Sequence, residues 1–242
     1  MRDDVTLSDV TSAPARPGYK ATRERVETYF DKTATRTWER LTSDAPVSRI
    51  RETVRRGRDD MRNLMLSRLP DDMRGQRVLD AGCGAGQMTI ELAKRGAQVL
   101  AIDISPSLVE IAAKRLPDTL RPQVTFSSGD MLSPDLGHFD HVLAMDSLIY
   151  YDAHDIGRAL TTLESRTSGA IVFTVAPRTR ALMTMWYAGK LFPRSDRSPV
   201  MIPHAVDTLS NAARAQGLRR RLRPVDRISS GFYISQAMEV RS

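Results

Sequence analysis

Apolar and polar positions along this chain change their rhythm three times. Residues 1–19 mix Ser, Thr, Asp and Ala with Pro14 and Pro17, have no period, and read as a disordered tail. From about residue 20 to 70 the apolar positions recur every three or four residues. "RERVETYFDKTATRTWERL" sets Val26, Tyr29, Phe30, Thr33, Ala34, Thr37, Trp38 and Leu41 on one broad face. "VSRIRETVRRGRDDMRNLMLSRL" does the same with Val47, Ile50, Val54, Met61, Leu64, Met65 and Leu69. The pattern predicts a helical N-terminal cap over 20–70, with the face at Tyr29 to Leu41 used mainly for packing.

Over 71–242 the texture becomes short apolar runs alternating with helical segments. Strands are expected at "RVLDAG", "AQVLAIDI", "QVTFSSGD", "FDHVLAMDS" and "GAIVFTVA", with helices at "QMTIELAKRG", "PSLVEIAAKRL" and "DIGRALTTLESRT" between them. Strand and helix in alternation predict an α/β, doubly wound, mostly parallel sheet. Residues 177–204, rich in proline and carrying Met183, Met185, Trp186 and Tyr187, break the alternation and read as an inserted lid or a greasy patch. A helix at "AVDTLSNAARAQGL" and two strands, "RRRLRPVDRI" and "GFYISQAMEV", close the chain.

At 242 residues the chain is long enough for one sizeable domain with insertions, or at most two small ones. The polar start offers no signal-peptide core, no apolar run is long enough to span a bilayer, and a lone cysteine cannot form an internal disulfide. A cytoplasmic protein is the expectation. The net charge of +7 comes mainly from arginine, which suits a carboxylate or phosphate ligand, an anionic surface, or nothing beyond a solvated exterior.

The candidate chemistry sits at strand ends. "VLDAGCGAGQ" joins a buried strand to a helix through Gly82, Gly84 and Gly86, where bare backbone can approach a ligand. Asp80 precedes that turn, and Asp103 ends the next strand at roughly the 20-residue spacing of a ribose-binding acid. Asp130 in "SSGDML" and Asp146 in "LAMDSLIYY" end the following two strands. Four acids at successive carboxyl ends suit a cationic adenosine ligand better than a pyrophosphate. Tight-turn glycines and helix-capping acids are the plainer alternative.

These four motifs together resemble the class I S-adenosylmethionine-dependent methyltransferases. The resemblance implies a seven-stranded Rossmann-like sheet with S-adenosylmethionine as cofactor and S-adenosylhomocysteine as product. It would place Gly82, Cys83 and Gly84 around the methionine end, with Asp80 near the ammonium. Asp103 would hold the ribose, with Ser105 just beyond it, and Ile104 would pack on adenine. Asp130 and Met131 would read the adenine edge, Met145 and Asp146 would floor the sulfonium, and Tyr29 would close over the cofactor. Cys83 is then a small residue in a tight loop rather than a nucleophile.

The flanks "VETYFDKTATRTWERL", "VRRGRDDM", "MDSLIYY", "GKLFPRSDRSPVMIPH" and "GFYISQAMEV" are similar to the magnesium-protoporphyrin IX O-methyltransferase family of bacteriochlorophyll synthesis. That likeness implies methyl transfer to a propionate carboxylate of a magnesium porphyrin. It also implies substrate delivery by the large subunit of magnesium chelatase and peripheral contact with the inner or intracytoplasmic membrane. Cyanobacterial and plant members carry a histidine where this chain has Tyr150. Tyr150 would offer a hydroxyl near the acceptor. His204 would ligand the porphyrin magnesium, orient the propionate, or cap the helix that follows it. No resident metal and no nucleic acid are expected; "DSLIYY" lacks the proline-aromatic tetrad of amine methylation. Methylation of a quinone precursor, or a porphyrin carrier without catalysis, would use the same features.

Overall fold

The chain's structure is a computed structural model that describes residues 18–31, 49–179, 182–183 and 199–241. Residues 1–17 of the expected tail, the Tyr29 to Leu41 face from residue 32 onward and most of the 177–204 insertion, with Trp38, Trp186 and Tyr187, lie outside the described residues.

The short apolar runs form β1 (Arg77–Ala81), β2 (Gln98–Asp103), β3 (Val124–Ser128), β4 (His141–Ala144) and β5 (Ile171–Val175). They are followed by β6 (Arg221–Ser230) and β7 (Tyr233–Arg241). All seven make one sheet in the order β3-β2-β1-β4-β5-β7-β6. The sheet is parallel except for β7, which runs antiparallel to both β5 and β6. The doubly wound fold expected from the alternation is therefore present. β4 and β5 are buried at every residue, which is why they read as unbroken apolar runs rather than alternating ones. The outer strand β6 instead exposes Arg221, Arg223 and Arg227 and carries Pro224 beside a register shift. Those features discourage edge-to-edge pairing.

Six helices matter for the site: α1 (Tyr19–Tyr29), α2 (Arg49–Leu66), α3 (Gln87–Lys94), α4 (Pro106–Arg115), α5 (Ala153–Glu164) and α6 (Val206–Ala215). On one sheet face α5 and α6 bury Ile156, Leu160, Leu163 and Leu209 with Phe173 and Leu79. On the other, α2 and α3 bury Met61, Met65, Met88 and Leu92 with Val78 and Val172. The helical cap expected over 20–70 thus divides in two. α1 stands over the carboxyl ends of the strands, while α2 is a layer of the core and lies across β6 and β7. Gly57 permits that approach, because a Cβ there would meet the Tyr233 ring at 2.7 Å and Ser230 Cβ at 2.9 Å.

Candidate active site

Strand order reverses between β1 and β4, and in open α/β sheets ligands bind outside the carboxyl ends at such a point. Here the glycine loop leaves β1 and is tied at once to β2: the amides of Gly82 and Cys83 both donate to the Ile102 carbonyl, at 2.7 and 3.0 Å. Gly82 has φ +83°, and a Cβ there would lie 2.4 Å from Ser147 Cβ. Only a glycine lets the loop turn this tightly against the β4 end. The Gly84 amide donates to Asp103 Oδ2 at 2.9 Å, and the Ser105 amide to Asp103 Oδ1 at 2.9 Å.

Above this floor lies an open cavity at the carboxyl ends of the strands, where sheets of this kind bind ligands. Its walls include Val26 and Phe30 from the α1 segment, Ile102, Asp103 and Ile104 from the β2 end, and Gly129 and Met131 after β3. Met145, Asp146, Ser147, Tyr150 and Tyr151 supply the side beyond β4, and Arg58 reaches in from α2. A second, smaller space adjoins it between Asp80, the loop from Gly82 to Gln87, Arg58 and Arg62. Gly82, Gly84, Leu108, Met145 and Arg58 border both.

Each anticipated acid has a distinct environment. Asp80 is fully buried and accepts a hydrogen bond from Thr89 Oγ1 at 2.6 Å. Burial, followed by the charge of Asp103 and against the Thr89 hydrogen bond, pushes its pKa up to about 7. Such a group gains from a cation placed beside it. Asp103 is also raised by burial, opposed by the amides of Ser105, Gly84 and Ile104. Asp146 has φ +54°, rare for a residue with a side chain and typical of functional turns. Its carboxylate receives Arg58 Nη1 at 2.6 Å, Tyr233 Oη at 3.1 Å and Thr174 Oγ1 at 3.1 Å.

Four of the anticipated residues are held by other partners in the structure. Asp130 does not line the cavity. Its Oδ1 accepts Tyr19 Oη at 2.7 Å and the Leu132 amide at 2.9 Å, and its Oδ2 accepts Arg23 Nη1 at 2.9 Å. It fastens α1 to the β3 exit, and Met131 beside it faces the cavity. Ser105 is the N-cap of α4, accepting the Leu108 amide, and it donates to Asp31 beyond α1. Tyr29 is not in the lining; it packs edge-on against Phe30, 5.2 Å between centroids, and Phe30 takes the wall position. His204 is buried with Nε2 at 2.9 Å from the Tyr151 carbonyl, and its amide donates to Ala176 at 2.8 Å. It anchors the return of the 177–204 segment instead of facing the cavity, and the α6 N-cap, Ala205, has no side-chain bond to replace.

Tyr150 does line the cavity, edge-on to Phe30 at 6.0 Å. Burial, then the proximity of Asp146 and Tyr29, raises its hydroxyl pKa, so the phenol stays a neutral donor. Cys83 is buried, its thiol pushed well up by burial and by Asp103 and Asp80. A thiol held neutral is a poor nucleophile, which agrees with its reading as a small loop residue. Arg58 and Tyr233 lie in the flanks "VRRGRDDM" and "GFYISQAMEV", but nothing in the sequence marks either of them, or Thr174, as a partner of Asp146. Arg58 is one of many arginines on α2, and only the tertiary fold brings it to Asp146.

Sheet order, glycine loop and strand-end acids define a class I S-adenosylmethionine-dependent methyltransferase. A general methyltransferase-domain model matches residues 78–167, and a model described as magnesium-protoporphyrin IX methyltransferase C-terminus matches 144–242. Magnesium-protoporphyrin O-methyltransferase of Rhodobacter capsulatus is 60% identical over 224 residues, covering 92% of this chain and 98% of that one. The crystal structure of magnesium protoporphyrin IX methyltransferase from Synechocystis PCC 6803 with bound S-adenosylhomocysteine superposes with a TM-score of 0.75. It is 28% identical and covers 91% of this chain and 100% of that one. Ubiquinone biosynthesis O-methyltransferase of Xanthomonas oryzae pv. oryzae is 31% identical over 170 residues, 67% of this chain and 68% of that one. The chain belongs to the magnesium-protoporphyrin O-methyltransferase family.

Proposed function

We propose that this protein moves the methyl group of S-adenosylmethionine to a propionate carboxylate of magnesium protoporphyrin IX, giving the monomethyl ester. The observation that carries the reading is the close relation to the Rhodobacter capsulatus enzyme over nearly the whole of both chains. The residues fit the cofactor: Asp80 is a buried acid in want of a cation, the loop is open at Gly84, where a Cβ would meet nothing within 4 Å, and Asp103 faces the cavity.

S-adenosylmethionine, when bound, supplies a methyl carbon on a cationic sulfur that leaves as a neutral thioether. Asp103 would take the ribose hydroxyls, and Asp80 the ammonium. Ile104 and Met131 would flank the adenine. A propionate has a reference pKa near 4.3, that of glutamate, and is already ionised at neutral pH. Its oxygen forms the new C–O bond as the C–S bond breaks, and no proton changes hands. What the protein contributes is alignment and exclusion of water. Phe30, Tyr150 and Tyr151 offer flat apolar faces to a macrocycle, and α1 closes the roof through the Tyr19–Asp130 and Arg23–Asp130 contacts.

A quinone-precursor phenol is the alternative acceptor. Its reference pKa near 10 calls for a general base. The described lining disfavours that: Asp103 is engaged by amides, Asp146 by three donors, and Tyr150 is held neutral. Hand-over by the large chelatase subunit and peripheral membrane contact suit a flat, poorly soluble substrate and belong to the same proposal. No helix among the described residues is long and apolar enough to cross a membrane. The test is incubation of purified protein with S-adenosylmethionine and magnesium protoporphyrin IX, followed by mass spectrometry. A gain of one methylene on the porphyrin is expected; methylation of a catechol precursor in its place would overturn the assignment.

A further inference from the structure

The reaction just proposed brings an anion to a cavity that already holds carboxylates. Asp103 spends its two oxygens on the amides of Gly84 and Ser105, so part of its charge is answered by the backbone. Among the described residues the Asp146 carboxylate accepts from side chains alone. Its charge is answered by Arg58 Nη1 at 2.6 Å, with Tyr233 and Thr174 adding neutral hydroxyl donors. The pair is well sheltered, with side-chain exposures of 18% and 9%. Shelter matters because a charge there is screened far less than one at the surface. Arg58 is the one guanidinium in the larger cavity's lining among the described residues; Arg62, a turn further along α2, borders only the smaller space and pairs with Asp59.

Arg58 also stands where the two spaces meet. If the larger takes the adenosine and the smaller the methionine tail, the sulfur and its methyl lie at their junction, and the acceptor oxygen must come there. An unpaired Asp146 carboxylate at that point would repel it. We infer that Arg58 is a specificity residue whose charge cancels Asp146 and so admits an anionic acceptor. This rests on the carboxylate-acceptor reading above. The Asp146 carboxylate organises the β4 exit by accepting Thr174 Oγ1 and Tyr233 Oη, and α2 supplies the compensating charge.

Charge compensation separates from mere bracing by a pair of variants that both break the ion pair. Arg58→Met leaves Asp146 uncompensated. The acceptor KM should rise by an order of magnitude or so, as a like charge in a poorly screened site requires, with kcat less affected. Affinity for S-adenosylhomocysteine, measured by calorimetry, should stay within a few-fold. Adding Asp146→Asn to Arg58→Met removes the repelling charge and should return the acceptor KM most of the way. Arg58→Lys, which keeps the charge, should raise the acceptor KM less than Arg58→Met and guards against a folding defect in the methionine variant. A double variant as poor as Arg58→Met, or a KM unchanged in Arg58→Met, overturns the inference while wild-type turnover leaves the function standing. Loss confined to S-adenosylhomocysteine binding overturns it too, assigning Arg58 to the cofactor's own carboxylate. Wild-type protein that methylates no porphyrin carboxylate removes the function and the inference together.

Discussion

The Asp103 carboxylate accepts the Gly84 amide at 2.9 Å, so the acid that ends β2 and the glycine loop that leaves β1 are one unit. Alanine at 103 removes the ribose acceptor and the brace of the loop together. S-adenosylhomocysteine binding should weaken by about 1.5–3 kcal/mol, the range for hydrogen bonds to a charged group. Isothermal calorimetry on Asp103→Ala reads this directly, and wild-type affinity in that variant would remove Asp103 from the cofactor site.

Asp80 gives the cofactor step a pH signature of fixed sign. Its folded pKa near 7 lies above the usual carboxylate value, chiefly through burial. An ammonium beside it favours the ionised form, so binding below pH 7 must first expel a proton. Affinity for S-adenosylhomocysteine should therefore rise with pH up to about 7 and level off above it. The ligand-free protein behaves oppositely. Between the unfolded value near 4 and the folded value near 7 the native state binds the extra proton, so this group's share of stability falls as pH rises through that window. Calorimetry at pH 6 and 8, with Asp80→Asn as reference, checks both signs; a pH-independent affinity in wild type would separate Asp80 from the ammonium.

Much of this site is written locally, and the remainder could not be. The glycine turn, Asp80, Asp103 and Met145–Asp146 lie at strand ends whose apolar runs are plain in the sequence, because a parallel strand buried on both faces leaves an unmistakable block. Asp130 looks the same in sequence as the other three. It differs only because Tyr19 and Arg23, more than a hundred residues away, take both its oxygens. His204 misleads for a related reason: a histidine after a proline-rich stretch reads as chemistry, whereas burial and the Tyr151 carbonyl make it structural. Arg58, Thr174 and Tyr233 meet at Asp146 from three separate elements, and no spacing rule joins them.

Gly57 offers a test of the α2 contact that supports Arg58. Alanine is favoured over glycine within a helix by about 1 kcal/mol. Here the added methyl would press on the Tyr233 ring and Ser230 Cβ, at 2.7 and 2.9 Å. Overpacking of that kind typically costs 1–3 kcal/mol, so Gly57→Ala should lower the denaturant midpoint despite its better propensity. A stabilised variant would mean that α2 has room to shift away from β7.

The last prediction concerns proton transfer, and it turns on Tyr150. Its phenol lines the cavity and is raised by burial, Asp146 and Tyr29, so it remains protonated well past neutrality. Such a group can donate a hydrogen bond to an acceptor oxygen, but it cannot serve as a base near pH 7. A carboxylate acceptor needs none. Tyr150→Phe should then keep S-adenosylhomocysteine affinity and lower kcat by on the order of tenfold, about 1.4 kcal/mol of barrier. Loss of a true general base costs more, about 10²–10⁴-fold. The measurement is kcat against pH for wild type and Tyr150→Phe, with cofactor saturating so that the Asp80 titration stays in KM. Two flat profiles, offset by a constant factor, are expected. A wild-type limb that climbs through neutrality and disappears in the variant, with a thousandfold loss, would show that a proton is removed at this position and that the acceptor is not a carboxylate.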